Sequence, residues 1–241
     1  ENFTNSCNIT ASGVEIVATG DFTNSGNFIS ENGDISITSA NFENAQSSEL
    51  SANSGKITIS ATGDFTNEGS FISENGDINI TSANFENAQS SELSAKSGKM
   101  TISATGDFSN SGTITAAGNL VINQVENFTN SGNITAYGVE IEATGDFTNS
   151  GKIDSSTGLL KITAKSITTS GEINAQSGDF ESTEAGIIFG ENSETSFEAG
   201  LTVTSAGNFE NCGTITVLGV EIEATGDFTN SGKLISENGD I

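Results

Sequence analysis

Carboxylates are the most abundant groups in this chain able to do chemistry. Thirty-two aspartates and glutamates face seven lysines, with no arginine and no histidine, giving a formal charge of −25 over 241 residues. Acid–base catalysis by carboxyls needs surroundings that push two pKa values apart, and glycoside cleavage needs the two groups facing each other across a cleft. Glu140 and Glu142, like Glu221 and Glu223, instead recur at the same places in a repeated Gly-Val-Glu-Ile-Glu-Ala stretch, as a solvated acidic face does. No catalytic residue is assigned and no enzyme is expected, with a β-helical polysaccharide-active enzyme as the third reading. The single tyrosine, Tyr137, aligns with Ser12 and is expected as a surface substitution.

The acidic surplus also bears on partners. A surface of this sign cannot neutralise phosphates, so nucleic acid is not expected as a partner. Calcium would be drawn only diffusely, because the Gly-Gly-x-Gly-x-Asp repeat of calcium-loaded β-rolls is missing. Two cysteines far apart in sequence make no thiolate zinc site, and no metal or cofactor is expected. The longest apolar runs, such as Gly186-Ile187-Ile188-Phe189, are too short to cross a bilayer, so no membrane insertion is expected.

Uncharged polar groups carry the more specific signal. Ser36 and Thr38, Thr58 and Ser60, Asn79 and Thr81, and Thr101 and Ser103 fall at matching places in four successive repeats and form a candidate binding face. Regular hydroxyls on a rigid sheet can match a repeating partner such as a carbohydrate, another rod or ice, and ice or carbohydrate binding is the second functional reading. Asn5, Asn24, Asn44, Asn67, Asn87, Asn110, Asn130, Asn149, Asn211 and Asn230 each stand two residues after a phenylalanine. Stacked at strand spacing, such asparagines can bond one another and the turn backbone, so they are read as a structural ladder.

The elements that position these residues follow from a period of nineteen to twenty-three residues. Aligned on Phe3, Phe22, Phe42, Phe65, Phe85, Phe108, Phe128, Phe147, Phe209 and Phe228, with Ile167 and Ile188 as replacements, the chain divides into twelve units. A disordered acidic chain would have no reason to keep its apolar residues at fixed places. In residues 127–146, Phe128, then Ile134 with Ala136, then Val139 with Ile141 and Ala143 alternate with polar residues, which predicts three short strands. Asn130-Ser131-Gly132 and Gly138 read as turns that tolerate positive φ, and Asp146 can close a turn through its side chain. The expected fold is all-β, a right-handed parallel β-helix of about twelve coils with three short strands each, forming one repeat domain over residues 1–241.

The count from turn glycine to the next phenylalanine position is nine or ten, whereas that from phenylalanine to glycine ranges from ten (Phe3 to Gly13) to thirteen (Phe42 to Gly55), so insertions such as Ala45-Gln46-Ser47-Ser48-Glu49 are expected to bulge from one edge. Phe28 and Phe71 adjoin Ile29 and Ile72, taken as the core residues, so both rings are expected to point outward. Residues 22–64 and 65–107 differ at Ser25/Glu68, Asn27/Ser70, Ser36/Asn79, Asn53/Lys96 and Ile57/Met100, of which all but the last pair should be exposed. Cys7 and Cys212 occupy adjacent turn positions ten coils apart, roughly 48 Å along a straight stack at ordinary strand spacing, too far for a disulfide and read as buried or idle thiols.

The motif Gly-Asp-Phe-Thr-Asn-Ser-Gly-x-Ile-x-Ala-x-Gly-x-Ile-x-Ile-x-Ala resembles the repeats of the filamentous haemagglutinin family. These are large β-helical exoproteins of bacterial two-partner secretion, and the toxin-delivery stalks of contact-dependent inhibition are among them. The resemblance covers the whole chain through its period and its Asn-Ser-Gly turn. It implies an extracellular or cell-surface rod, a stalk or filament, that adheres to a host or bacterial receptor or glycan, or that holds something away from the cell. The pattern is already running at Glu1-Asn2-Phe3 and still running at Ile241, so the chain is expected to be a segment of a longer rod or a subunit that stacks end to end on copies of itself.

Overall fold

The computed structural model describes residues 1–236 and is built entirely of strands and turns. Each coil begins with a three- or four-residue strand ending Phe-x-Asn or its equivalent, and twelve of these, from Phe3–Asn5 to Phe228–Asn230, pair in parallel as one sheet. The register is strict. Phe3 lies opposite Phe22, Phe22 opposite Phe42, Phe42 opposite Phe65, and the asparagines two places on follow the same order. A side-chain period of two then sends the phenylalanine and asparagine inward and the residue between them outward.

The other two strands of a coil, for example Asn133–Ala136 and Val139–Ala143, stack on their counterparts in the same way and close a three-sided right-handed β-helix. Right-handed crossover is what a twisted strand feeding a parallel neighbour favours. From Lys152 onward the corner between these two strands straightens. Lys152–Ala164, Glu172–Ser182, Glu194–Ser205 and Thr214–Ala224 each run across both faces, with register shifts at the former corner in the first three pairings.

Phenylalanine fills the interior. From Phe3 to Phe147 eight rings stack coil upon coil, with centroids between 4.6 and 5.2 Å apart and planes within 8° of parallel. Burying each ring contributes about 1.5–3 kcal/mol, and stacked pairs add about 0.5–1.5 kcal/mol. Beyond Phe147 the column passes through Ile167 and Ile187 before resuming at Phe209. The replacement is therefore Ile187, not Ile188. Ile188 lies one residue on and faces outward, 40% exposed.

Phe28 and Phe71 point into the core, contrary to the sequence expectation. They share an inward column with Leu50 and Leu93, and all four are fully buried. Their rings meet the main stack edge-on, Phe28 at 5.9 Å from Phe22 and Phe71 at 5.8 Å from Phe65. Ile29 and Ile72 are the outward partners, half-buried and in register with Ser51 and Ser94.

The turn glycines also serve a purpose other than the one expected. No described glycine has positive φ; the residues that do are Ser47, Ser90 and Gln124, at 64°, 69° and 64°. What Gly132 supplies is the absence of a side chain, since a Cβ there would lie 2.1 Å from the carbonyl oxygen of Gly112 in the preceding coil. The Ala45–Ser48 insertion does protrude, with Gln46 and Ser47 exposed, but Glu49 already belongs to the next strand. Ser48 is buried, its Oγ donating to Asn44 Oδ1 at 2.8 Å and to the Ala45 carbonyl at 2.6 Å, and Ser91 repeats both bonds with Asn87 and Ala88. Of the five differences between residues 22–64 and 65–107, only Ile57/Met100 is buried on both sides.

Candidate functional site

The eight residues of the hydroxyl face form two in-register ranks on the outward side of the third strands. Ser36, Thr58, Asn79 and Thr101 make one rank, and Thr38, Ser60, Thr81 and Ser103 the other. All eight are exposed or half-buried, and the surface between them is free of charge. The array is bordered by Glu15 and Val17 on one side and by Val121 and Asn123 on the other, where Ser103 Oγ bonds Asn123 Oδ1. Beyond that border the same ranks become charged, with Glu140 opposite Lys161 and Glu142 opposite Thr163. Glu221 and Glu223 likewise sit opposite Thr202 and Thr204. All four glutamates stand on outward strand positions, not across a cleft from one another.

The asparagines form a continuous chain of amides inside the first corner. Asn5 Nδ2 donates to Asn24 Oδ1 at 2.8 Å, and the same bond passes through Asn44, Asn67, Asn87, Asn110 and Asn130 to Asn149 at 2.8–2.9 Å. The second amide hydrogen goes to a backbone carbonyl, as Asn24 Nδ2 does to Glu49 O at 2.9 Å. Asn149 then donates to Thr169 Oγ1 at 3.2 Å, the column turns apolar at Phe189, and it restarts with Asn211 donating to Asn230 at 2.9 Å. Asn230 is exposed, whereas the other nine are buried.

A second polar rank, on the outside of the same turns, has no counterpart in the sequence reading. The residue before each phenylalanine alternates from coil to coil: Asn2, Asp21, Asn41, Asp64, Asn84, Asp107, Asn127, Asp146. Asn41, Asn84 and Asn127 each donate an amide hydrogen to the aspartate of the coil before, at 2.8, 2.8 and 2.9 Å, and each accepts from the backbone N–H of the aspartate that follows. Aspartate on every coil would set carboxylates about 4.8 Å apart, with mutual repulsion at each step. The alternation was legible in the phenylalanine alignment, one column to its left.

Lysines sit against carboxylates of neighbouring coils: Lys96 to Glu74 at 2.6 Å, Lys152 to Glu172 at 2.9 Å, Lys165 to Glu184 at 3.1 Å and Lys161 to Glu140 at 3.3 Å. The Glu74 and Glu172 hydrogen bonds raise the pKa of Lys96 and Lys152 above that of a free lysine, and Lys152 in turn lowers that of Glu172. These pairs are solvent-exposed and each contributes at most about 1 kcal/mol. Cys7 and Cys212 are both free thiols. Neither is buried: Cys7 is exposed, and Cys212 is half-buried with its Sγ against Glu210 Oε1 at 3.3 Å. No group of three or more His, Cys, Asp or Glu side chains converges to hold a metal among the described residues.

Repeats of this length, stacked in parallel with the first-face strands in strict register, are matched by the haemagglutinin repeat family at residues 2–26, 27–69, 70–112, 97–151 and 155–232. The chain belongs to the haemagglutinin repeat family. Search of the curated proteins and of the solved structures returned no match. Haemagglutinin repeats on this β-helix give the molecule the character of an adhesin-like rod.

Proposed function

We propose that this chain is a rigid stretch of an extracellular or cell-surface rod, serving as a stalk or filament for adhesion or presentation. Residues 1–241 act as one unit, continued by flanking coils of a longer chain or by copies of itself end to end. The observation that carries this reading is the unbroken register of the first-face sheet across twelve coils. Together with the asparagine chain and the phenylalanine stack, it ties every coil to its neighbours and makes bending costly. At ordinary strand spacing the stack is about 55 Å long.

Solution scattering should give a rod of that length, and beads coated with the chain should adhere to epithelial or bacterial cells better than albumin-coated beads. A globular scattering profile would sink the rod. Adhesion no better than albumin would leave presentation and remove adhesion.

The two ranks of the hydroxyl face support a second reading, in which Ser36, Thr38, Thr58, Ser60, Asn79, Thr81, Thr101 and Ser103 engage ice or a carbohydrate. Thermal hysteresis in dilute solution tests the ice form of this reading. We read the chain as non-catalytic because its repeated glutamates lie on outward strand faces, and release of sugars from a polysaccharide panel would overturn that.

A further inference from the structure

One hollow on the rod is lined by exposed apolar side chains. In the first seven coils the residue before the third strand is Gly13, Asp34, Lys56, Asp77, Lys99, Asn119 and Gly138, so an outward rank of polar side chains has a glycine at each end. The φ of Gly138 is not positive, and a Cβ there would meet the flexible tip of Asn119, with Oδ1 at 3.1 Å, and touch the Leu159 carbonyl oxygen at an ordinary contact distance of 3.4 Å. Backbone crowding, which fixes Gly132, therefore does not explain this glycine.

What the missing side chain leaves is a hollow of about 270 Å³ between Asn119 and Leu159. Tyr137 and Leu159 line it and are 55% and 46% exposed, two of the most exposed large apolar side chains away from the ends of the stack. Val121, Glu140 and Lys161 form the adjoining outward rank, in register across three coils, and the Lys161 ammonium lies 3.3 Å from the Glu140 carboxylate.

We propose that this hollow binds one ring of a neutral glycan. A sugar ring presents an apolar C–H face, which the Tyr137 ring and Leu159 can cover, and a rim of hydroxyls. The Asn119 amide, the Glu140 carboxylate and the Lys161 ammonium supply acceptors and donors for that rim. Charge selects the neutral class. Glu140 and Lys161 cancel locally, and a chain of net charge −25 repels sialylated, sulfated or uronic chains. The site is distinct from the hydroxyl face, goes beyond the rod reading and does not rest on it.

The chain carries its own reporter, because Tyr137 is its only tyrosine and it has no tryptophan. Methyl glycosides of galactose, glucose and mannose, and N-acetylglucosamine oligomers, are titrated into the full chain, with sialyllactose as the anionic control. Tyr137 fluorescence and saturation-transfer NMR of the sugar are followed together. At least one neutral sugar should change the fluorescence saturably, with a Kd on the order of 1 mM and tighter than sialyllactose. Gly138→Gln, which fills the hollow, should weaken that binding by about tenfold or more. Tyr137→Ser should abolish saturation transfer, with circular dichroism and melting unchanged in both variants. No saturable response to any neutral sugar, preference for sialyllactose, or saturation transfer that survives both substitutions would overturn the assignment. Solution scattering reports on the rod alone and is unaffected by either outcome.

Discussion

Replacing Asn87 by leucine tests whether the buried amide chain holds the coils together. The Asn87 side chain accepts from Asn67 Nδ2 at 2.9 Å and from Ser91 Oγ at 2.8 Å, and donates to Asn110 Oδ1 at 2.9 Å and to the Thr113 carbonyl at 3.3 Å. Leucine has a similar volume, so packing changes little while all four bonds vanish. Ser91 keeps its bond to Ala88 O, and Asn67 keeps Glu92 O. Asn110 Oδ1 loses its donor, and one amide hydrogen of Asn67 loses its acceptor. Each unsatisfied buried group costs about 1–3 kcal/mol, so the two together cost about 3 kcal/mol.

Because stacked repeats can open locally, the proper assay is native-state hydrogen exchange of the amides in Phe85–Asn87 and Phe108–Asn110. A loss of about 3 kcal/mol should speed their exchange by about two orders of magnitude. Asn87→Thr should lose less, because Thr169 already accepts from Asn149 at 3.2 Å in the same column. Asn230→Leu, at an exposed position with one partner, should change exchange in its neighbours hardly at all. Acceleration below about threefold at Asn87→Leu would refute the reasoning, since the ladder would then hold less than about 0.7 kcal/mol per rung.

Gly132→Ala and Gly138→Ala should diverge in urea denaturation. The first puts a methyl against backbone and should cost about 3 kcal/mol, while the second should be neutral or stabilising by about 0.5 kcal/mol. Thr195→Val should stabilise by about 1 kcal/mol, because the buried Thr195 hydroxyl has no partner in a column where its neighbours are Ile173 and Ile215. Phe108→Ala should cost about 3–5 kcal/mol, with a lowered thermal midpoint as the measurement. The Lys152–Glu172 pair should add a small stabilisation that is fully present above the ordinary glutamate range. It is lost as pH falls through the lowered Glu172 pKa and, separately, as pH rises through the raised Lys152 pKa, so Lys152→Ala should flatten both limbs of a stability–pH profile.

Coil number, strand content and the phenylalanine and asparagine columns were readable because inward residues recur at a fixed period and alternate with polar ones. Where two apolar residues stand side by side, alternation loses its phase. Phe28-Ile29 and Phe71-Ile72 can turn either way from sequence alone, and only pairing with Leu50 and Leu93 decides which residue is inside. Ile187-Ile188 is the same ambiguity. The glycines were misread for a different reason. A turn that needs positive φ and a turn that lacks room for a Cβ are written with the same letter, and the Gly112 carbonyl beneath Gly132 belongs to another coil. The candidate hydroxyl face was placed by alternation alone, whereas the hollow at Gly138 depends on what stands above and below it.

The alternation of asparagine and aspartate outside the turns implies that the coil is not the unit in which such a rod can change length. Removing residues 65–107, two coils, would join Asp64 to Phe108 and leave Asn41, Asp64 and Asn127 alternating as before. Removing residues 65–84, one coil, would set Asp64 directly beneath Asp107, bring the two protruding loops together and stack Leu50 on Leu93 where a phenylalanine now separates them. Length in this part of the molecule is thus quantised in pairs, and the near-identity of residues 22–64 and 65–107 is the trace such a rule would leave: growth by whole pairs, with odd insertions penalised by charge and shape at once.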